Sequence, residues 1–266
     1  MDYNLHTHTV RCKHAQGTER EYVEEAIKGG FKTLGFSDHT PYPFPREYDP
    51  PTRMDPSQLE GYVDTILSLK KEYASDIEIL LGLEAEYYPT YFEKLMELIE
   101  PYPIEYLLLG QHFPGDEIGQ PWHGQETADV ERLKGYVDQV LEGLDTGRFL
   151  YLAHPDLPNF IGDIVLYEEQ MRRLIAECNK RDVPMEINLL GIATERNYPN
   201  ELFWRLAGEM SAKTVIGVDA HRVDMVWDPG SMAAAEKIAA DNHLHLLTKE
   251  ELFQNYRNRK AKGKTG

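Results

Sequence analysis

The chain has 266 residues, 41% hydrophobic and 27% charged, the balance of an ordinary globular protein with apolar material for a sizeable core. Its net charge of −17 argues against a general nucleic-acid or anionic-membrane surface, since both need a basic footprint. It leaves room for a small phosphate ester, because bound cations invert a local field, and no apolar run reaches membrane-spanning length.

Strand and helix patterns alternate along the chain. The first strand opens at Tyr3 and runs into His6-Thr7-His8. Residues two apart in an extended segment share a side, so these two imidazoles can reach one ion. His14 lies in the loop that follows. Thr18-Glu19-Arg20-Glu21 is a capping-box pattern for a helix that Gly29-Gly30 stops. Residues 33–37 form strand two and deliver Asp38-His39. A proline-rich loop over 41–51 leads to Asp55-Pro56, an N-cap with proline at the first helical position, and a helix to about residue 73.

Strand three, 77–83, is nearly continuous in apolar residues, as burial on both faces requires, and ends in Glu84-Ala85-Glu86. A helix at 91–99 precedes strand four, 106–109, which ends in Gly110-Gln111-His112. A polar loop over 113–126 contains Trp122 and His123; a helix follows over 129–144. Strand five, 149–153, ends in His154-Pro155-Asp156, and a helix at 167–180 leads to strand six, 184–188. After a loop at 195–200, Pro199 starts a helix carrying Phe203, Trp204 and Leu206. Strand seven, 214–218, ends in Asp219-Ala220-His221. A helix at 229–241, a short last strand at 244–247 and a capping box at Thr248 that opens a final helix complete the pattern. The basic stretch 259–266 reads as a flexible tail, leaving 1–258 as one domain.

Regular alternation predicts a parallel sheet, and seven or eight units without a break in composition predict a closed α/β barrel. A doubly wound open sheet is the alternative, but no glycine-rich phosphate loop follows strand one. In a barrel the C-terminal strand ends share the face where active sites are built. His6, His8, His39, Glu84, His112, His154, Asp219 and His221 all fall at such ends. Imidazoles with a few carboxylates suit zinc, manganese or iron, and the donors are too many for one tetrahedral ion. Glu86 rivals Glu84, which is preferred because it directly follows the apolar run. His123 reads as a loop residue, His243 and His245 as structural, and Cys12 as a small loop or core residue despite its place near the histidines. Arg196, after strand six, and Arg222, after His221, are the candidates for holding a substrate phosphate. The two cysteines, Cys12 and Cys178, lack CxxC spacing, and no secretory pattern is visible at the N-terminus, so a cytoplasmic location is expected.

The ordered set His6-Thr7-His8 with His14, Ser37-Asp38-His39, Gly82-Leu83-Glu84, Gly110-Gln111-His112-Phe113, Ala153-His154-Pro155-Asp156 and Val218-Asp219-Ala220-His221 resembles the PHP (polymerase and histidinol phosphatase) family. Within that family the resemblance is nearest to the stand-alone histidinol-phosphate phosphatases, with Glu186-Ile187-Asn188, Gly191 and Tyr198-Pro199 also similar. The resemblance implies a distorted, TIM-barrel-like (β/α)7 barrel holding three divalent ions, zinc, manganese or iron. His6, His8, Glu84 and Asp219 would hold the first; Glu84, His112 and His154 the second; His14, His39 and His221 the third. It implies hydrolysis of L-histidinol phosphate, a late step of histidine synthesis, by a metal-bridging hydroxide, with Glu84, Asp219 and His221 the catalytic residues. Asp38, Asp156 and a metal-bound water are the candidates to protonate the leaving alkoxide. The histidinol phosphatases tend to carry a basic residue just after His-Pro-Asp, whereas this chain reads Leu157-Pro158-Asn159-Phe160.

Four other readings compete. Another small phosphate ester or nucleotide keeps the chemistry and changes the substrate. A metal-dependent amidohydrolase also begins with HxH, but often bridges its metals with a lysine, and no lysine ends a strand here. A proofreading nuclease conflicts with the acidic balance, and a non-catalytic metal binder with nine donors beside a polar loop.

Overall fold

The computed structural model describes residues 1–263. Parallel strands form its centre. β1 (Tyr3–Asn4), β2 (Thr33–Phe36), β3 (Glu78–Ala85) and β4 (Tyr106–Leu109) lie side by side in chain order. β5 (Met185–Asn188), β6 (Lys213–Gly217) and β7 (His245–Leu246) make a second parallel run. Single bridges join the runs: Leu152 pairs with Leu109 and with Met185, and Thr7 pairs with Ala220 beyond β6. The sheet thus curls on itself into a TIM-barrel-like α/β fold, with the C-terminal strand ends on one face.

Helices cover the outside: α1 (Glu19–Lys28), α2 (Leu59–Glu72), α3 (Phe92–Ile99), α4 (Val130–Asp145), α5 (Ile164–Arg181), α6 (Leu189–Ala193), α7 (Glu201–Glu209), α8 (Pro229–Asp241) and α9 (Lys249–Gly263). Their starts follow local chemistry. Thr18 and Glu21 form the capping box of α1, while Asp129, Asp163 and Asp228 cap α4, α5 and α8 with their carboxylates. No helix among the described residues is long and apolar enough to cross a membrane.

The alternation of each strand builds two apolar layers. Outward residues such as Leu34, Phe36, Ile79, Leu81 and Leu83 pack against Val63 and Ile66 of α2 and the helices beside it. Inward residues Leu5, Leu80, Tyr106, Leu108 and Val215 fill the barrel, and Leu252 and Tyr256 of α9 close its N-terminal end. Each fully buried side chain of this kind contributes about 1.5–3 kcal/mol. The Tyr106 hydroxyl donates inside the barrel to the carbonyls of Leu5 and Phe36, at 2.8 and 3.1 Å.

Five local expectations change. Residues 149–153 lie between β4 and β5, but the paired bridge is confined to Leu152. Leu150 donates to Leu107 and Leu152 to Pro184, so the segment keeps a strand's place without its length. β1 ends at Asn4, whose side chain replaces the ladder: Oδ1 accepts from the amides of His6 and Val218, and Nδ2 donates to Thr7 Oγ1. That local bonding breaks the alternation, so Leu5 packs inside the barrel and His6 still turns to its upper end. Pro199 does not start α7; Asn200 is the N-cap, its side chain accepting from Phe203 N, which leaves the proline one residue outside. The short α6, capped by Asn188, was not foreseen. Finally, α9 runs through Gly263, into the stretch expected to be a flexible tail. Arg259 donates to the carbonyls of Phe149 and Leu150, which ties this turn to the barrel. The rest of that stretch, 264–266, lies outside the described residues.

Candidate metal centre and substrate cavity

Nine donors expected from the sequence converge at the C-terminal strand ends. Glu84 is central. Its Oε1 lies 2.9 Å from His154 Nε2, 3.5 Å from His6 Nε2 and 3.6 Å from His112 Nε2. Its Oε2 lies 3.5 Å from His8 Nε2 and 3.1 Å from His39 Nδ1. Asp219 Oδ1 approaches His8 Nε2 at 3.0 Å and His6 Nε2 at 3.4 Å. His14 and His221 stack with ring centroids 4.5 Å apart, and donor atoms of His14, His39 and His221 all lie within 4.8 Å of one another. Gly110 and Gly217 make this packing feasible. A Cβ at Gly110 would meet Glu84 Oε1 at 1.9 Å, and one at Gly217 would meet Glu186 Oε1 at 1.7 Å. His154 and Asp219 are held at positive φ, 28° and 55°, a backbone cost of the kind that collects at functional sites.

Whether these residues suit metal ions is answered by their bonding. His6 Nε2, His8 Nε2, His39 Nδ1, His221 Nε2 and Glu84 Oε2 are buried with no hydrogen-bond partner. A protein does not normally leave such groups unmatched, because each costs about 1–3 kcal/mol. Imidazole and carboxylate donors clustered this closely fit divalent metal ions. The opposite edges of several rings are fixed. His6 Nδ1 donates to Glu186 at 2.8 Å and His112 Nδ1 to Glu86 at 2.8 Å, while His14 Nδ1 and His221 Nδ1 donate to the carbonyls of Cys12 and Asp219. Such outer partners set the tautomer and leave the other nitrogen free to ligate.

The electrostatics divide the cluster: burial lowers the pKa values of His6, His8 and His112, but the neighbouring carboxylates raise them above the ordinary histidine value, His8 to about 9. Burial opposes ionisation of Glu84, but the imidazoles of His112, His6 and His39 and the hydrogen bond from His154 outweigh it and hold its pKa well below the usual range. Asp219 behaves alike: burial opposes its charge, and His6, His8 and His221 overcome it. Burial, with the neighbouring His8, holds His39 and His221 well below the ordinary histidine value, which favours their neutral form.

A cavity of about 540 Å³ opens above the cluster, lined by Phe113, Trp122, Leu157, Leu190 and Met225 among others. Arg196 and Arg222 both border it. Arg196 donates to the Tyr198 hydroxyl at 2.7 Å and lies over the Trp122 and Tyr198 rings; Arg222 is paired with Asp224 at 3.0 Å. Glu86 is not a rival to Glu84: it pairs with Arg53 and orients His112. Asp38 accepts from Thr9 Oγ1 and from His39 N, and Asp156 from Trp204 Nε1 and Asn200 N. Neither lines the cavity. Cys12 is buried, its sulfur near His8 and His221, with burial pushing its thiol pKa up. His123 packs against Tyr136 and its amide donates to the carbonyl of His112 at 2.8 Å, while His243 and His245 are exposed near the last strand, apart from the cluster. Sequence reasoning missed the orienting roles of Glu186 and Glu86; a carboxylate two residues from a donor, or one on the next inward strand position, was the available signal.

Fold and donor set together define a metal-binding α/β barrel with its site at the C-terminal strand ends. The PHP domain model matches residues 4–189, and the chain belongs to that family. It is 28% identical over 225 residues to a probable histidinol-phosphatase of Deinococcus radiodurans, covering 82% of this chain and 85% of that one. It is 35% identical over 115 residues to the histidinol-phosphatase of Bacillus subtilis, covering 41% and 42%. The crystal structure of histidinol phosphate phosphatase from Lactococcus lactis, complexed with zinc, L-histidinol and phosphate, shares the fold, with a TM-score of 0.73, 19% identity and coverage of 92% and 95%.

Proposed function

We propose that this chain is a metal-dependent phosphatase that hydrolyses L-histidinol phosphate to L-histidinol and phosphate. The observation that carries the reading is Glu84, whose Oε1 faces His154, His6 and His112 and whose Oε2 faces His8 and His39, with the facing nitrogens of His6, His8 and His39 unpartnered. His6, His8, Glu84 and Asp219 would hold one ion, Glu84, His112 and His154 a second, and His14, His39 and His221 a third; zinc, manganese and iron suit these donors. Bound there, such ions supply Lewis acidity that lowers the pKa of a water and offsets charge on phosphoryl oxygens.

The remaining work falls to side chains. Glu84 and Asp219 stay ionised as permanent anions among the imidazoles. Glu186 and Glu86 fix the tautomers of His6 and His112. Arg196 binds and orients the phosphate from the cavity rim, which Arg222 also borders. Phe113, Trp122, Leu157, Leu190 and Met225 exclude water from the organic half of the ester. Asp38 and Asp156 are both engaged in hydrogen bonds, which leaves water as the freest of the three candidates to protonate the leaving alkoxide.

A second reading, a different small phosphate ester, has its own support. Among the described residues, the charged side chains lining the cavity outside the donor set are Arg196 and Arg222, with no carboxylate to meet the ammonium of histidinol. Phosphate release by protein loaded with manganese, zinc or iron, on histidinol phosphate and on a panel of small esters, separates the two. Strong preference for histidinol phosphate, lost on chelation, supports the first. Preference for an ester without an ammonium group selects the second. Hydrolysis that survives chelation sinks both.

A further inference from the structure

Arg53 plays no part in the site as described, yet it is fully buried beside it. Nη1 and Nη2 span both oxygens of Glu86 at 3.1 and 3.0 Å; Nη2 also donates to Glu117, and Nη1 to the carbonyl of Thr40 at 3.3 Å. The rings of Tyr42, Phe44 and Tyr88 surround the guanidinium at 5.5, 5.9 and 5.9 Å. The hydroxyls of Tyr48 and Tyr88 each donate to Glu117 at 2.9 Å. Glu86 in turn accepts from His112 Nδ1 at 2.8 Å.

Three segments therefore meet at one side chain: the end of β3, the loop before α2 that places Thr52 in the cavity wall, and the 113–126 loop that places Phe113 and Trp122 there. Stability alone is a poor reason for such a cluster, since apolar residues of similar volume often stabilise as well as a buried ion pair or better. What the cluster supplies is fixed geometry. A planar fork can serve two carboxylates at set angles, which a lysine ammonium cannot.

We propose that Arg53 is a positioning residue for the hydrolysis. By holding Glu86 and Glu117 together, it fixes the aim of His112 and keeps both cavity-wall loops in register with the donor cluster. The proposal rests on the phosphatase reading only in taking His112 as a metal donor.

Arg53→Lys keeps the charge and loses the fork; Glu117→Gln keeps the shape and weakens the loop side alone. Glu117→Gln is expected to raise KM about fivefold with kcat little changed, the effect of one weakened buried hydrogen bond. Arg53→Lys is expected to raise KM as well and to lower kcat about tenfold or more, as loss of an orienting partner does. Adding Glu117→Gln to Arg53→Lys should then change little, because the shared contact is already gone. In substrate-free protein, Arg53→Lys should speed amide hydrogen exchange in 41–54 and 113–126 and reduce the metal retained on dialysis. A folded Arg53→Lys protein with wild-type KM, kcat, loop exchange and metal content overturns the proposal, as does a loss confined to melting temperature. Should Arg53→Lys not fold, Glu117→Gln decides: unchanged KM and loop exchange overturn the proposal. Should wild-type protein leave histidinol phosphate untouched, that substrate reading falls, while loop exchange and metal retention still decide the role of Arg53.

Discussion

The two ends of the barrel are made by the same strands and obey opposite rules. At the N-terminal end, Leu5, Leu80, Tyr106 and Leu108 fill the interior under Leu252 and Tyr256, and even the Tyr106 hydroxyl is matched by two carbonyls. At the C-terminal end, imidazoles and carboxylates take their place, most of them buried although His14 is exposed, several without partners, and two donors sit at strained backbone angles. One end lowers the free energy of the fold, and the other raises it to hold a constellation that only a further ligand completes. The division teaches where substitutions will register: in stability below, in chemistry above.

The sharpest break in the comparison is Glu84→Gln. Activity of the metal-loaded protein should fall by at least about a thousandfold, since the charge at the centre of the donor set is gone, while the protein still folds, with a lowered melting temperature in chelator because the imidazoles that hold Glu84 ionised lose their partner. A fully active variant would remove Glu84 from the centre of the cluster. Next comes Leu252→Ala at the opposite end, fully buried in α9. It should cost about 2–5 kcal/mol in denaturant unfolding and leave kcat and KM of the folded protein unchanged. A catalytic defect in folded protein would show that the ends are not independent. The smallest effect belongs to Arg196→Ala at the cavity rim. It should raise KM about tenfold, as loss of a charge-assisted hydrogen bond worth roughly 1.5 kcal/mol does, with little change in kcat. Unchanged kinetics would take Arg196 out of the site.

Much of this contrast was legible before any coordinates. Strand patterns placed β2, β3, β4, β5 and β6 within a residue or two, because buried parallel strands are written as short apolar runs. Most of the candidate donors were legible because they close such runs, whereas His14 lies in a loop. Residues 149–153 were harder: five buried residues read as a strand, but only Leu152 bridges both neighbours. The end of α9 was misread because Arg259 and Lys260 look like a solvated tail, whereas Arg259 is spent on two main-chain carbonyls more than a hundred residues away.

By itself, then, the sequence determined the parallel α/β fold and the side chains that gather at its C-terminal strand ends, because periodicity and strand ends are local properties of the chain. Tertiary structure alone decided which carboxylates stand behind the imidazoles. Glu186 reaches His6 across 180 positions, Arg53 reaches Glu117 across 64, and Gly110 and Gly217 leave the space that lets Glu84 and Glu186 approach. Such pairings are set by how strands neighbour one another around a closed sheet, a distance that spacing along the chain does not encode.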